Sequence, residues 1–255
     1  MNQRLISALR AGFLHLLLSL GVAFFVAGLV FLVWYPWPFS ELVGGRGLFF
    51  ILVGVDVVCG PLLTLILWNP KNPRREVCID IGLVVTIQAV ALVYGLHTVV
   101  QARPVHLVFE VDRLRLITAA EIAPEDLPLA PPHLRTLPWT GPTLIGVRPP
   151  RDSEEKLRSI NLSIAGLEPS LRPGWWQDYA LNKDEVLGRA RSIDVLYEAR
   201  PQQRLQIEAA IRDAQRPESD LCWLPLTSAR NMEWVVFLDR VTALPLAYAH
   251  VDGFF

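Results

Sequence analysis

Three apolar stretches, residues 13–33, 48–68 and 79–100, dominate the first hundred positions, and each is long enough to cross a bilayer. A spanning helix needs about 20 mainly apolar residues at about 1.5 Å of rise each. From Arg103 onward the composition is that of a folded polar domain, and its roughly 150 residues suffice for one compact core. The expected fold is therefore a membrane protein with three transmembrane α-helices in residues 1–102, followed by an α+β domain in residues 103–255.

The charge pattern orients the spans. Lys71, Arg74 and Arg75 lie between spans two and three, and Arg4 and Arg10 precede span one, whereas the link between spans one and two carries only Arg46. Lysine and arginine in short loops favour the cytoplasm. The N-terminus and the second link are thus expected inside, and the C-terminal domain outside the inner membrane, in the periplasm. Span one has the charged start of a signal peptide, but the bulky Val33-Trp34-Tyr35-Pro36 that follows offers no small-residue cleavage site, so it reads as a retained helix. Residues 1–102 hold six Lys/Arg against four Asp/Glu, and the remainder 18 against 21, so neither half has the basic surface of a nucleic-acid binder. In this topology Cys59, Cys78 and Cys222 occupy three different environments, which argues against an internal disulfide and for small buried hydrophobes.

The links read as abrupt stops. Trp34-Tyr35-Pro36-Trp37-Pro38 places amphipathic aromatics at headgroup level, and Trp68-Asn69-Pro70 repeats the device. Asp80 reads as a first-turn carboxylate suited to the helix dipole of span three. In the outer domain, residues 105–116 predict a strand with a turn near Asp112. Residues 123–150, with eight prolines, predict an irregular connection. Residues 183–199 have helical spacing with Asn182 as N-cap, Pro201 breaks them, and 202–215 form a second helix. Trp234–Asp239 and 244–250 predict a closing hairpin, so both ends of the domain contribute strands.

Asp56 is the residue most in need of explanation. An aspartate near the bilayer midplane costs about 2.5–3.5 kcal/mol on insertion scales and marks a functional position by default. Asp56, Gly60 and Thr64 recur at i, i+4 and i+8, giving one small, polar helix face suited to close helix contact. Gln88 in span three lies at similar depth and can donate to it. Three readings follow: internal glue through Gln88, a seat for a partner helix, or a proton path. A path needs a chain of ionisable groups, and only His15 and His97 are available, near opposite faces. No paired metal spacing, nucleophile elbow, P-loop or dinucleotide turn is present, so neither a cofactor nor a catalytic residue is expected. Glu154, Glu155, Asp184 and Glu185 read as solvated faces. Trp175-Trp176 reads either as an exposed recognition patch or as a core or membrane anchor.

Residues 54–66 (GVDVVCGPLLTLI), Trp34-Tyr35-Pro36, Ala102-Arg103-Pro104-Val105, Gln88 with Tyr94-Gly95, and Val108-Phe109 through Asp112-Arg113 resemble the type IV pilin accessory proteins of the TfpX/TfpZ kind. The resemblance covers about residues 10–116 and is fainter beyond, where Leu224-Pro225 and the final hairpin carry it. Cys59 and the glycine-free turn at Thr242-Ala243 depart from the pattern. It implies an inner-membrane, non-enzymatic accessory factor or chaperone that supports assembly or display of a cognate type IV pilin, with the pilus assembly machinery and membrane lipid as further partners. Asp56, Gly60, Thr64 and Gln88 would then face the pilin's apolar helix, and the outer domain, through Trp175 and Trp176, its head. The alternative is a membrane-bound enzyme that modifies pilin or another envelope polymer.

Overall fold

The structure, a computed structural model, describes residues 3–255 and divides into two compact units. One comprises the chain up to Ser40 with Gly44–Ala102. The other comprises Glu41–Val43 with Arg103–Phe255.

The first unit is built from α1 (Gln3–Gly28), α3 (Gly45–Leu67) and α4 (Arg74–Gln101), with the short α2 (Phe39–Leu42) in the link that follows α1. Among the described residues, three helices are long and apolar enough to cross a membrane, α1 counting with its extension to Trp34. That extension is a π-helical stretch, Leu29–Trp34, closed by Tyr35 N–H donating to the Val30 carbonyl at 2.7 Å. α3 packs against both α1 and α4. The α1 contact is close because Gly12 lacks a side chain: an added Cβ would meet the Pro61 carbonyl at 3.3 Å. Gly95 of α4 lies under Leu52 in the same way.

The helices start earlier than the apolar runs, because helical hydrogen bonding continues through flanking polar residues that hydropathy excludes. Arg4 and Arg10 therefore lie on α1, and Asp80 is the seventh residue of α4, beyond the first turn, where Glu76 stands instead. The dipole reading of Asp80 is corrected accordingly. Tyr35 also differs from a headgroup anchor: it is fully buried, with its ring against Gly45, and its hydroxyl donates to the Val99 carbonyl at 2.6 Å. It ties the end of the first helix to the start of α3 and the end of α4. Trp37, 55% exposed, keeps the surface position expected of an anchor.

The second unit is a seven-stranded mixed sheet in the order β4-β3-β1-β2-β5-β6-β7. The strands are β1 (Pro104–Glu110), β2 (Arg113–Thr118), β3 (Thr143–Val147), β4 (Trp176–Asp178), β5 (Leu221–Thr227), β6 (Trp234–Asp239) and β7 (Pro245–Ala249). β1 and β5 are buried along their whole length, as befits strands covered on both faces. The expected strand pair at 105–116 and the closing hairpin are both present. β3, inside the proline-rich connection, is a strand that sequence pattern missed: it pairs in parallel with β1, so no hairpin turn announces it. Its helices are α5 (Ser153–Ile164), α6 (Lys183–Arg189), α7 (Ile193–Ala199) and α8 (Arg204–Ala214). The single helix expected over 183–199 is broken between α6 and α7, where Arg191 leaves the helical path to exchange two backbone hydrogen bonds with Trp223. Asn182 does not cap α6 through its side chain. That amide instead donates to the Val147 carbonyl at 2.9 Å and accepts from Gln177 at 2.8 Å.

Two hydrophobic clusters fill the domain. α7 and α8 pack with Trp223, Phe237 and Ala247, while Val108, Ile117, Ile145 and Trp176 gather the proline-rich turns around β1–β3. Glu41–Val43 joins this unit, with Leu42 fully buried and its carbonyl accepting from Ser228 Oγ at 2.7 Å. Two candidate spans, α3 and α4, separate that link from the C-terminal domain, and an even number of crossings returns a chain to the side it left, with which this contact agrees.

The β1–β2 turn is Val111-Asp112, with Val111 in the left-handed region at φ 57° and 60% exposed. A β-branched residue is strained there, and two-residue hairpins favour glycine at such positions. Val111→Gly is expected to stabilise the domain by about 1 kcal/mol and raise its unfolding midpoint by about 2–4 °C. Thermal unfolding of the detergent-solubilised protein, followed by near-UV circular dichroism, checks it; a lowered midpoint would contradict it.

Candidate functional site

One face of α3 forms the floor of a groove of about 730 Å³, walled by α1 and α4. Val53, Asp56 and Thr64 lie on the floor, Leu14, His15 and Leu18 on one wall, and Val85, Gln88 and Leu92 on the other. Along α1 the lining runs from Ser7 to Val26, 20 residues spanning about 28 Å of helix, close to the thickness of a bilayer's hydrocarbon core. Arg10 and Trp68 line the end near Ser7.

Of the sequence-predicted residues, Asp56, Thr64 and Gln88 line this groove, and Gly60 lies against the Gln88 amide. Their bonds differ from the expected ones. Gln88 Nε2 donates at 3.0 Å to the backbone carbonyl of Asp56, not to its carboxylate. Gly60 makes this possible: the Gln88 amide lies where a Cβ at position 60 would be. Thr64 is buried and its hydroxyl meets His15 Nδ1 at 2.5 Å. Asp56, the central residue of the 23-residue α3, keeps Oδ1 enclosed with no hydrogen-bond partner. The indole N–H of Trp68 is likewise enclosed and unpaired. His15 was not among the expected site residues. Its signal was present, since His15 and Thr64 lie within a few residues of the same end of two adjacent antiparallel spans.

Trp175 and Trp176 belong to the second unit. Trp176 is 2% exposed, with its indole donating to the Ser170 carbonyl at 2.8 Å, so the exposed-patch reading does not hold for it. Trp175 is half-buried between the Arg148 and Arg172 guanidinium groups, 4.5 and 5.3 Å from its ring centre. One exposed apolar stripe of the unit lies on α5. Ser159 and Ser163 turn inward to bond the Arg172 guanidinium at 2.8 and 3.2 Å, while Leu157, Ile160 and Ile164 point out, 64, 48 and 82% exposed. A helix so placed is inside-out relative to the usual amphipathic pattern.

The domain also holds an acidic pair, a buried Glu110 beside a partly exposed Glu168. Glu110 is 4% exposed, accepts from the Ser170 N–H at 2.9 Å and shares a hydrogen bond with Glu168. Burial first, and then that shared bond, push the Glu110 carboxyl up to about 7. Glu168 stays below its ordinary value, with Glu110 hydrogen-bonded to it and the Arg115 guanidinium paired with it, against the opposing effect of burial. Glu155, expected as a solvated carboxylate, grips Arg148 through both oxygens, at 2.9 and 2.6 Å. His106 is buried, bonded to Thr143 Oγ1 at 2.6 Å, and burial lowers it to about 4. Among the described residues, no three His, Cys, Asp or Glu side chains converge as a metal site.

A three-helix base, apolar enough for a membrane, joined to a mixed-sheet domain defines the class of protein. A family model described as "Fimbrial assembly protein FimB" matches residues 3–44. The chain is 36% identical over 254 residues to the fimbrial assembly protein of serogroup I from Dichelobacter nodosus, covering 99% of this chain and 98% of that one. It is 35% identical to the serogroup E1 protein over the same extent, and 45% identical over 129 residues to that of serogroups C1 and C2, where 51% of this chain covers 98% of the relative. No solved structure matches it. The chain belongs to the fimbrial assembly protein family.

The Glu110 pair generates a pH prediction. A carboxyl whose folded value of about 7 exceeds its ordinary 4.5 holds its proton more tightly when folded, so its contribution is full below pH 4.5 and is lost as pH rises towards 7. Glu110→Gln, which mimics the protonated form, is expected to match the parent near pH 4.5. By pH 8 it should be more stable, by on the order of 2 kcal/mol. Urea unfolding at both pH values checks this; a gap that narrows with rising pH would contradict it.

Proposed function

We propose that this protein is a non-enzymatic accessory factor of type IV pilus assembly that holds a cognate pilin in the bacterial inner membrane. Its N-terminus is cytoplasmic and its sheet domain periplasmic. The groove of α1, α3 and α4 takes the pilin's apolar helix, and the domain meets the pilin's head. The full-length relatives named as fimbrial assembly proteins support the pathway. The observation that carries the role is the groove's length. A lined path of about 28 Å suits a membrane-spanning helix, whereas an ion or a small metabolite needs far less.

The head contact is assigned to the outward stripe of α5 rather than to the tryptophan pair. Three aliphatic side chains fall well short of the roughly 800 Å² per partner of a self-sufficient interface. Such a contact gains weight when the partner is already held elsewhere, because the second contact is then intramolecular in effect. A client gripped first by its helix meets that condition.

Detergent extraction and pull-down of the full-length protein, probed for the pilin of the same cells, tests the reading. Wild-type protein is expected to retain pilin of unchanged mass. Leu157→Glu combined with Ile164→Glu on α5 should lower retention about tenfold and reduce surface pili with it. Pilin that never co-purifies, while its mass shifts in the protein's presence, would overturn the reading in favour of a modifying enzyme.

A further inference from the structure

Asp56 Oδ1 is enclosed and unpaired although polar groups surround it. Each neighbour is held elsewhere by geometry. The Gln88 amide, passing over Gly60, reaches the Asp56 backbone carbonyl, and His15 and Thr64 bond each other. The bundle therefore does not use the side chain as internal glue. An acyl chain filling the apolar walls would offer Oδ1 nothing. A helix lying in the groove has its own backbone N–H groups engaged within it, so only a side chain or a terminal amine on that helix can supply a donor.

We propose that the helix received by the groove carries an O–H or N–H donor at mid-depth, and that this donor meets the Asp56 carboxyl, which lines the groove, and selects the client. The inference rests on the groove being the seat of the pilin helix, and it adds the chemistry by which that helix is recognised. Asp56 lies 12 residues, about 18 Å of helix, from Trp68 at one end of the groove. The donor on the client falls at that depth. A helix with only apolar residues there leaves the carboxyl as unpaired as it is in the free groove and forgoes that bond, so it is held less tightly than a donor-bearing helix. Groove length and apolar walls admit many membrane helices; the donor distinguishes among them.

The test uses the full-length protein in living cells, with a photoreactive residue at Leu18 on the α1 wall and detection of crosslinked pilin by immunoblot. Each donor-bearing residue in the pilin's apolar helix is changed in turn to leucine. Asp56→Leu is expected to cut capture about three- to thirtyfold, the range for one interhelical hydrogen bond in lipid. One pilin substitution should do the same, and the two together should cost no more than either alone. Leucine suits a spanning helix better than aspartate, so misfolding does not explain a loss. Asp56→Asn keeps the acceptor: retained capture identifies a neutral donor, and capture lost as with leucine identifies a cationic one. Capture unchanged in Asp56→Leu, or losses that add for every pilin substitution, overturns the inference while the groove's occupancy stands. No pilin captured by the parent protein overturns both.

Discussion

A carboxyl group held in the middle of an apolar bundle is the constraint on which this molecule turns. Its presence in α3 costs about 2.5–3.5 kcal/mol on insertion scales, and one hydrogen bond between helices in lipid returns only about 0.6–2 kcal/mol. A bundle that needed stability alone would aim Gln88 at that carboxyl. Here the amide goes to the backbone carbonyl of the same residue, through the gap at Gly60, and Oδ1 stays bare. The helices are held together by other means: Gly12 against Pro61, Gly95 under Leu52, and Tyr35 bonded to Val99. Packing is thus supplied by small residues, and on our proposal the acid is left for a guest.

The sheet domain shows a similar separation between what stabilises and what is presented. Arg172 draws the two serines of α5 inward and is itself bonded to the Leu167 carbonyl at 2.9 Å, which leaves the aliphatic face of that helix outside. Burying the aliphatic face would have been the ordinary solution. On our reading the groove and the stripe are both incomplete surfaces, each too weak alone and effective only when one client bridges them.

Much of the architecture was legible because lipid imposes a strong pattern. Long apolar runs gave the three helices, and alternation with turn residues gave β1, β2, β6 and β7. β3 escaped because its partner lies more than 30 residues away in parallel, and its proline-rich surroundings look irregular. The split at Arg191 escaped because helical spacing persists across it, while a backbone pairing with Trp223 decides otherwise. At the site, the face formed by Asp56, Gly60 and Thr64 followed from spacing alone. The direction of the Gln88 amide did not, because it depends on a missing Cβ across a helix contact. Trp176 shows the opposite limit: two adjacent tryptophans after Pro-Gly are compatible with an exposed patch or with a core or membrane anchor, and only the register of β4 against β3 places one of them in the core.

The most direct measurement is disulfide mapping in membranes, with single cysteines on the groove walls at Leu18 and Val85 paired against cysteines along the apolar helix of the cell's pilin. The account predicts crosslinks from both walls that recur every three or four pilin residues, with none from the outward-facing Phe24 and Ile87. Crosslinks from those outward positions, with both walls silent, would contradict it.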